Sequence, residues 1–172
     1  MAETLKTIST RCSTRSYKPE PVEREIIDKI TEAGTKAASG MNRQSAIIIV
    51  VDDPEVRNEL SRINAAVMNS DKDPFYGAPT VAVVLADKSV PTYIYDGTLV
   101  MANMMLAAEE LGVGSCWIHR AKEEFESEYG KNLLKKLGIE GDYAGIGNLI
   151  LGWPEGEKPV PKEHKADYVY HI

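Results

Sequence analysis

Two stretches of the chain leave little freedom in what it can fold into: Ala46-Ile47-Ile48-Ile49-Val50-Val51 and Thr80-Val81-Ala82-Val83-Val84-Leu85-Ala86. Both are rich in residues that favour extended backbone, the first in β-branched Ile and Val, the second in Val. Neither run alternates apolar with polar positions, so neither strand can turn a face to water. The sheet they build must be covered on both sides. A third run, from Ile146 to Leu151, has the same character but is interrupted by Gly147 and Asn148.

The covering layers are legible as helices. Leu5 and Ile8 mark a short amphipathic helix that the Pro19 and Pro21 pair prevents from continuing. Val22-Glu23-Arg24-Glu25 opens a second, through Ile26, Ile27, Ile30 and Ala33, predicted to fray near Ala38-Ser39-Gly40. Asp53-Pro54-Glu55 starts a third through Val56, Leu60 and Ile63, and Lys122 to Leu137 reads as a single amphipathic helix. The segment from Tyr93 to Leu111 carries apolar groups around nearly its whole circumference, among them Ile94, Leu99, Met101, Met104 and Met105. That pattern demands burial on more than one side. One face is expected on the sheet and another on a second subunit, with methionines as an adaptable contact; a central helix inside one subunit is the alternative. From Trp153 onward, Pro154, Pro159 and Pro161 exclude a central strand, leaving an extended arm that ends in Tyr168-Val169-Tyr170-His171-Ile172 and crosses its own surface or a partner's.

At 172 residues the chain is expected to form one domain over 1–172, and its net charge of -6 argues against a nucleic-acid partner. No apolar stretch reaches the ~18 residues of a membrane span, and the amino end lacks a basic region followed by an apolar run, so the chain reads as cytoplasmic. Cys12 and Cys116 form no CxxC, and His119, His164 and His171 show no metal-ligand spacing. Gly112-Val113-Gly114 and Gly145-Ile146-Gly147 begin like dinucleotide fingerprints, but their third glycine positions hold Trp117 and Ile150.

Four pieces carry chemistry. Arg11-Cys12-Ser13-Thr14-Arg15-Ser16 gathers two guanidinium forks and three hydroxyls, the donor set of a phosphate clamp, against the reading of a solvated helix end. Ser39-Gly40-Met41-Asn42-Arg43-Gln44 brings a polar loop into the first core strand, with backbone and amide donors suited to a planar heteroatomic ligand. Tyr76-Gly77-Ala78-Pro79 makes a tight entry to the second. Gly112 to Arg120 leaves the long helix through two glycines and runs an apolar strand into His119 and Arg120.

In this order, with Gly152-Trp153-Pro154 and the basic carboxyl tail, these pieces make the chain resemble the nitroreductase family of FMN flavoproteins over essentially its whole length. The resemblance implies an α+β fold with a central, mostly antiparallel sheet flanked by helices, a long helix at a homodimer interface, and two FMN sites between subunits. It implies that Arg11, Ser13 and Arg15 hold the phosphate and ribityl chain, with Cys12 and Thr14 contributing backbone. Ser39, Gly40 and Asn42 would reach the flavin from the partner, and Ile118, His119 and Arg120 would lie beside its ring with a backbone N–H near N5. Lys162 and His164, or Lys165 by a small register shift, correspond to phosphate-binding residues of the tail, and the stretch from Asn69 to Tyr76 corresponds to the pyrimidine edge.

The implied activity is reduction of a nitroaromatic, quinone or similar acceptor by NAD(P)H through flavin N5, in a ping-pong cycle. A flavin-binding store with little turnover is the alternative, and a phosphate-sensing dimer without flavin is a third reading. Departures concern the substrate face: Ser45-Ala46 follows Gln44 where the family often has Pro-Trp, Cys12 stands where Arg or His is frequent, and the short stretch between the first two core strands has no room for a helical lid.

Overall fold

The computed structural model describes residues 3–157 and 159–172. The three apolar runs are strands: β1 (Ala46–Val51), β2 (Thr80–Asp87) and β4 (Tyr143–Gly152), joined at the far edge by β3 (Gly114–Ile118). All pairings are antiparallel, in the order β1-β2-β4-β3. The lack of alternation in β2 now has its cause. Val81, Val83 and Leu85 enter one core with Ile49, Leu60, Phe75, Phe125 and Ile150, while Ala82 and Val84 enter another with Ile27, Ile30, Met101, Met104 and Leu149.

Helices α3 (Pro54–Val67), α5 (Ala121–Glu126) and α6 (Glu128–Lys136) supply the first core; α2 (Arg24–Thr35) and α4 (Tyr93–Glu110) supply the second. The amino-terminal helix α1 (Glu3–Thr10) is tied to the end of α4, where Thr10 donates a 2.7 Å hydrogen bond to Glu109 and Thr7 donates to Glu110.

Three expectations are corrected. The single helix over Lys122 to Leu137 is two, because Ser127 is extended (φ −67°, ψ 163°) and caps α6, accepting from Gly130 N at 3.1 Å while its hydroxyl donates to the Glu124 carbonyl at 2.6 Å. α2 closes at Thr35 rather than fraying near Gly40, since Lys36 and Ala37 N–H groups turn back to the Ala33 and Gly34 carbonyls. Met104 faces its own subunit: it is fully buried and lies so close to Gly34 that a Cβ there would come within 2.8 Å of its side chain. The apolar groups that α4 leaves in solvent are instead Ile94, Tyr95 and Leu99, at 52, 72 and 45% exposure.

Glycines of β4 set the position of the β3–α5 corner. The β2–β4 register skips Ile146, which bulges toward α4, so Val84 faces Gly147 and Leu85 faces Gly145. A side chain at Gly145 would meet the Ala121 backbone at 2.1 Å, and one at Gly147 would meet the Trp117 indole at 2.3 Å. The fingerprint-like glycines are therefore there for close packing.

Candidate functional site

The clamp segment leaves α1 and docks on the edge strand β3. Ser13 forms a parallel bridge with Ser115, Thr14 N donates to the Ser115 carbonyl at 2.9 Å, and the Tyr17 hydroxyl donates to the Thr14 carbonyl at 2.7 Å. Burial, with the Cys116 thiol next, raises the Tyr17 phenol far above its ordinary range, which keeps it a donor. Thr14 is buried, Arg11, Cys12 and Ser13 are half-buried, and Arg15 is exposed. Neither Arg11 nor Arg15 has an ion-pair partner among the described residues, whereas Arg24, Arg57, Arg62 and Arg120 all do. Two uncommitted guanidiniums beside hydroxyls form an anion-binding donor set.

β3 carries the chain from Ser115, beside the clamp, to the corner at His119 and Arg120, roughly 13 Å further along an extended strand. Ile118 ends the strand and His119 is exposed. Arg120 adopts a left-handed conformation (φ 79°, ψ 14°) at the head of α5, with its guanidinium 3.4 Å from Glu123. The His119 carbonyl accepts a 2.7 Å bond from Asn64 Nδ2, and the same amide reaches Glu124 Oε1. Burial pushes the Glu124 carboxyl up to about 7, against the opposing effect of the Asn64 and Asn148 amides. A cavity of about 490 Å³ opens beside the corner, lined by His119, Trp117, Tyr93, Ile94, Thr98 and Lys122.

The Ser39–Gln44 loop lies at the other edge of the sheet, leading into β1, three inter-strand spacings or about 14 Å away from β3. Met41, Asn42 and Gln44 all have positive φ (53°, 54° and 50°), a conformation that non-glycine residues hold only when the surroundings fix it. Asp96, in the first turn of α4 and 3% exposed, does much of the fixing. It accepts from Gly40 N at 2.9 Å, Ser45 Oγ at 2.7 Å and Thr92 Oγ1 at 3.1 Å. Burial opposes its charge, yet these three donors hold its carboxyl below the usual range. Ser39 adds a bond from Gln44 N to its hydroxyl at 3.0 Å.

Lys162 and His164 are exposed, in an arm whose side-chain ring contacts are local, His164 and Lys165 against Tyr168. The root of the arm is bonded to the clamp and the residues after it: Glu155 N donates to the Ser16 carbonyl and Lys18 N to the Trp153 carbonyl. The fold thus joins the clamp to the corner along β3, and leaves the Ser39 loop at the opposite edge and the basic tail outside.

Asp73 organises the stretch from Asn69 to Tyr76. It takes 2.6 Å bonds from Arg57 Nη2 and Ser61 Oγ, and bonds of 2.9 and 2.7 Å from Phe75 N and Gly77 N. Tyr76 and Gly77 are both left-handed there, which is the tight entry to β2. Sequence reading missed Asp73, Asp96, Asn64 and Glu124. The available signal for Asp96 was an acid in the first turn of an apolar helix whose other acids, Glu109 and Glu110, wait for its last turn, and for Asn148 the polar break in a core strand.

The class follows from an α+β scaffold whose edge strand β3 carries two unpaired arginines beside hydroxyls at one end and a left-handed backbone corner at the other. The nitroreductase family model matches residues 8–75 and 68–153, and the chain belongs to the nitroreductase family. A relative from Archaeoglobus fulgidus, whose name pairs NADH dehydrogenase with NAD(P)H nitroreductase, is 34% identical over 92% of this chain and 89% of its own. The FMN reductase [NAD(P)H] of Bacillus subtilis is 25% identical over 98% of this chain and 76% of its own. A solved Bacteroides fragilis nitroreductase with bound FMN superposes with a TM-score of 0.90 at 27% identity, covering 100% of both chains.

Proposed function

We propose that the chain is a cytoplasmic homodimeric FMN-dependent oxidoreductase that passes electrons from NAD(P)H to a small oxidised acceptor, a quinone or a nitroaromatic. The observation that carries this reading is the placement of two uncommitted arginines at one end of β3 and the left-handed Arg120 corner at its other end. The donor set fits the group. The roughly 13 Å between them suits a ribityl chain leading to a ring.

When bound, FMN would supply the two-electron redox chemistry between NAD(P)H and the acceptor. Arg11, Ser13 and Arg15 neutralise and orient the phosphate, and the Cys12 and Thr14 backbone lines the same end. The Ile118, His119 and Arg120 backbone borders the ring and fixes a donor there without reorganisation. Ser39, Gly40 and Asn42 come from the second copy, because within one chain their loop stands at the opposite sheet edge. Exposed Ile94, Tyr95, Leu99 and Met41 support that association, since together they give α4 and the loop an apolar face. Lys162 and His164 close over the phosphate from the arm. No side chain is needed as acid or base.

Purified protein should be yellow and release FMN on denaturation, identified by mass, and should oxidise NADH or NADPH faster than free FMN does with quinone or nitroaromatic acceptors. Colourless protein that takes up no FMN would overturn the reading. Bound FMN with rates no faster than free FMN would mark a flavin store instead.

A further inference from the structure

Beneath the His119–Arg120 corner lies a polar cluster sealed from solvent and assembled from three elements: Asn64 of α3, Glu124 of α5 and Asn148 of β4, all at 0% exposure. Its hydrogen bonding is lopsided. Asn64 Nδ2 directs its two protons to the His119 carbonyl (2.7 Å) and Glu124 Oε1 (2.5 Å), and Asn148 Nδ2 reaches the same Oε1 at 2.9 Å. Glu124 Oε2, Asn64 Oδ1 and Asn148 Oδ1 are buried with no partner among the described residues. All three are acceptors when the carboxyl is ionised, so the cluster lacks a donor. Buried acceptors left unpaired cost about 1–3 kcal/mol each.

We infer that Asn64, Glu124 and Asn148 form a positioning network for the His119–Arg120 corner, in which a proton on Glu124 Oε2 is the donor that the unpaired acceptors otherwise lack. The network is a positioning device: its side chains reach the corner through the His119 carbonyl, and the Glu124 backbone N–H holds the Arg120 carbonyl at 3.0 Å. Fixing that carbonyl fixes the peptide plane it shares with the Arg120 N–H, and so the direction in which that N–H points. The neighbouring charge of Glu123, itself paired with Arg120, disfavours a second negative charge at Glu124. Removing the Asn64 amide frees the His119 carbonyl without removing any group that faces the proposed ligand. The flavin arm of the test rests on the FMN reading above; the backbone arm does not.

The test compares Glu124→Gln, which keeps a donor at the Oε2 position, with Asn64→Leu, which removes the tie to His119. Amide hydrogen exchange at Glu124, whose N–H is held by the Arg120 carbonyl, is followed in the flavin-free protein, and the visible band and midpoint potential of bound FMN in the loaded protein. Asn64→Leu should speed exchange at this amide by about tenfold, the effect of losing one buried hydrogen bond at the corner, and shift the flavin band and potential. At pH 5, below the value of about 7 at which the folded carboxyl titrates, Glu124→Gln should match wild type in both arms, and an isotope-edited infrared spectrum of wild type should show a protonated carboxyl that this variant lacks. Equal disturbance by both variants, or unchanged exchange in Asn64→Leu, would overturn the network. Exchange that behaves as expected in a protein that binds no FMN would leave the network standing and remove the flavin reading.

Discussion

Asp96→Ala removes the acceptor on which the Ser39–Gln44 loop is hung. The carboxylate takes one backbone and two hydroxyl bonds, of 2.9, 2.7 and 3.1 Å. Hydrogen bonds to a charged group contribute roughly 1.5–3 kcal/mol each, but the sum is offset by several kcal/mol for keeping the carboxylate out of water. Ser45, 5% exposed, is then left with a stranded hydroxyl. A net loss of about 3 kcal/mol is expected by urea unfolding at neutral pH, with Asp96→Asn losing about half of that because it keeps one acceptor oxygen. The pH dependence has a definite sign. The folded carboxyl titrates below its ordinary value of 3.8, so its contribution is complete above that value and is lost as pH falls through the lower folded one. The gap between wild type and Asp96→Ala should therefore be full at neutral pH and close in acid. FMN affinity should fall with stability, since three left-handed residues of the loop lose their restraint. A variant within about 0.5 kcal/mol of wild type at neutral pH would refute the assignment of Asp96 as the loop's anchor.

Double replacement of Arg11 and Arg15 by Ala should leave the far-ultraviolet spectrum and unfolding midpoint nearly unchanged while abolishing FMN retention on desalting, because neither guanidinium supports the fold. Glu124→Gln should be more stable than wild type by up to about 3 kcal/mol at pH 8, with the difference vanishing toward pH 4: the folded acid titrates near 7 against an ordinary 4.5, so wild type loses stability as pH rises through that window. Denaturation at the two pH values checks it. Ser127→Ala should cost about 1 kcal/mol through loss of the α6 cap, read from the unfolding midpoint. Tyr95→Asp or Leu99→Asp should shift the protein toward monomer in analytical ultracentrifugation and release FMN together with the subunits.

Much of the fold was legible because it is written in uninterrupted apolar runs: both faces of β2 are buried, and its lack of alternation said so. The break at Ser127 was not read because the amphipathic period runs across it, although Ser127 followed by the acid Glu128 was a cap signal. Met104 was misplaced because an apolar circumference does not say which side meets which neighbour; Gly34, the small residue that admits it, is distant in sequence. The clamp and the corner were found as local motifs. Asp96 and the Asn64–Glu124–Asn148 cluster were not, since each works through partners tens of residues away that only the fold brings together, and Asp73 was not because its side-chain partners, Arg57 and Ser61, stand on the preceding helix.

The sharing of one site between two chains is the central claim, and a purified heterodimer tests it. One subunit carries the Arg11 and Arg15 replacements to Ala, and the other carries Ser39→Ala and Asn42→Ala. If each site takes its clamp from one chain and its loop from the other, the heterodimer has one intact site and should bind a single FMN with wild-type affinity while both parent homodimers bind none. A heterodimer as empty as its parents would contradict the shared site.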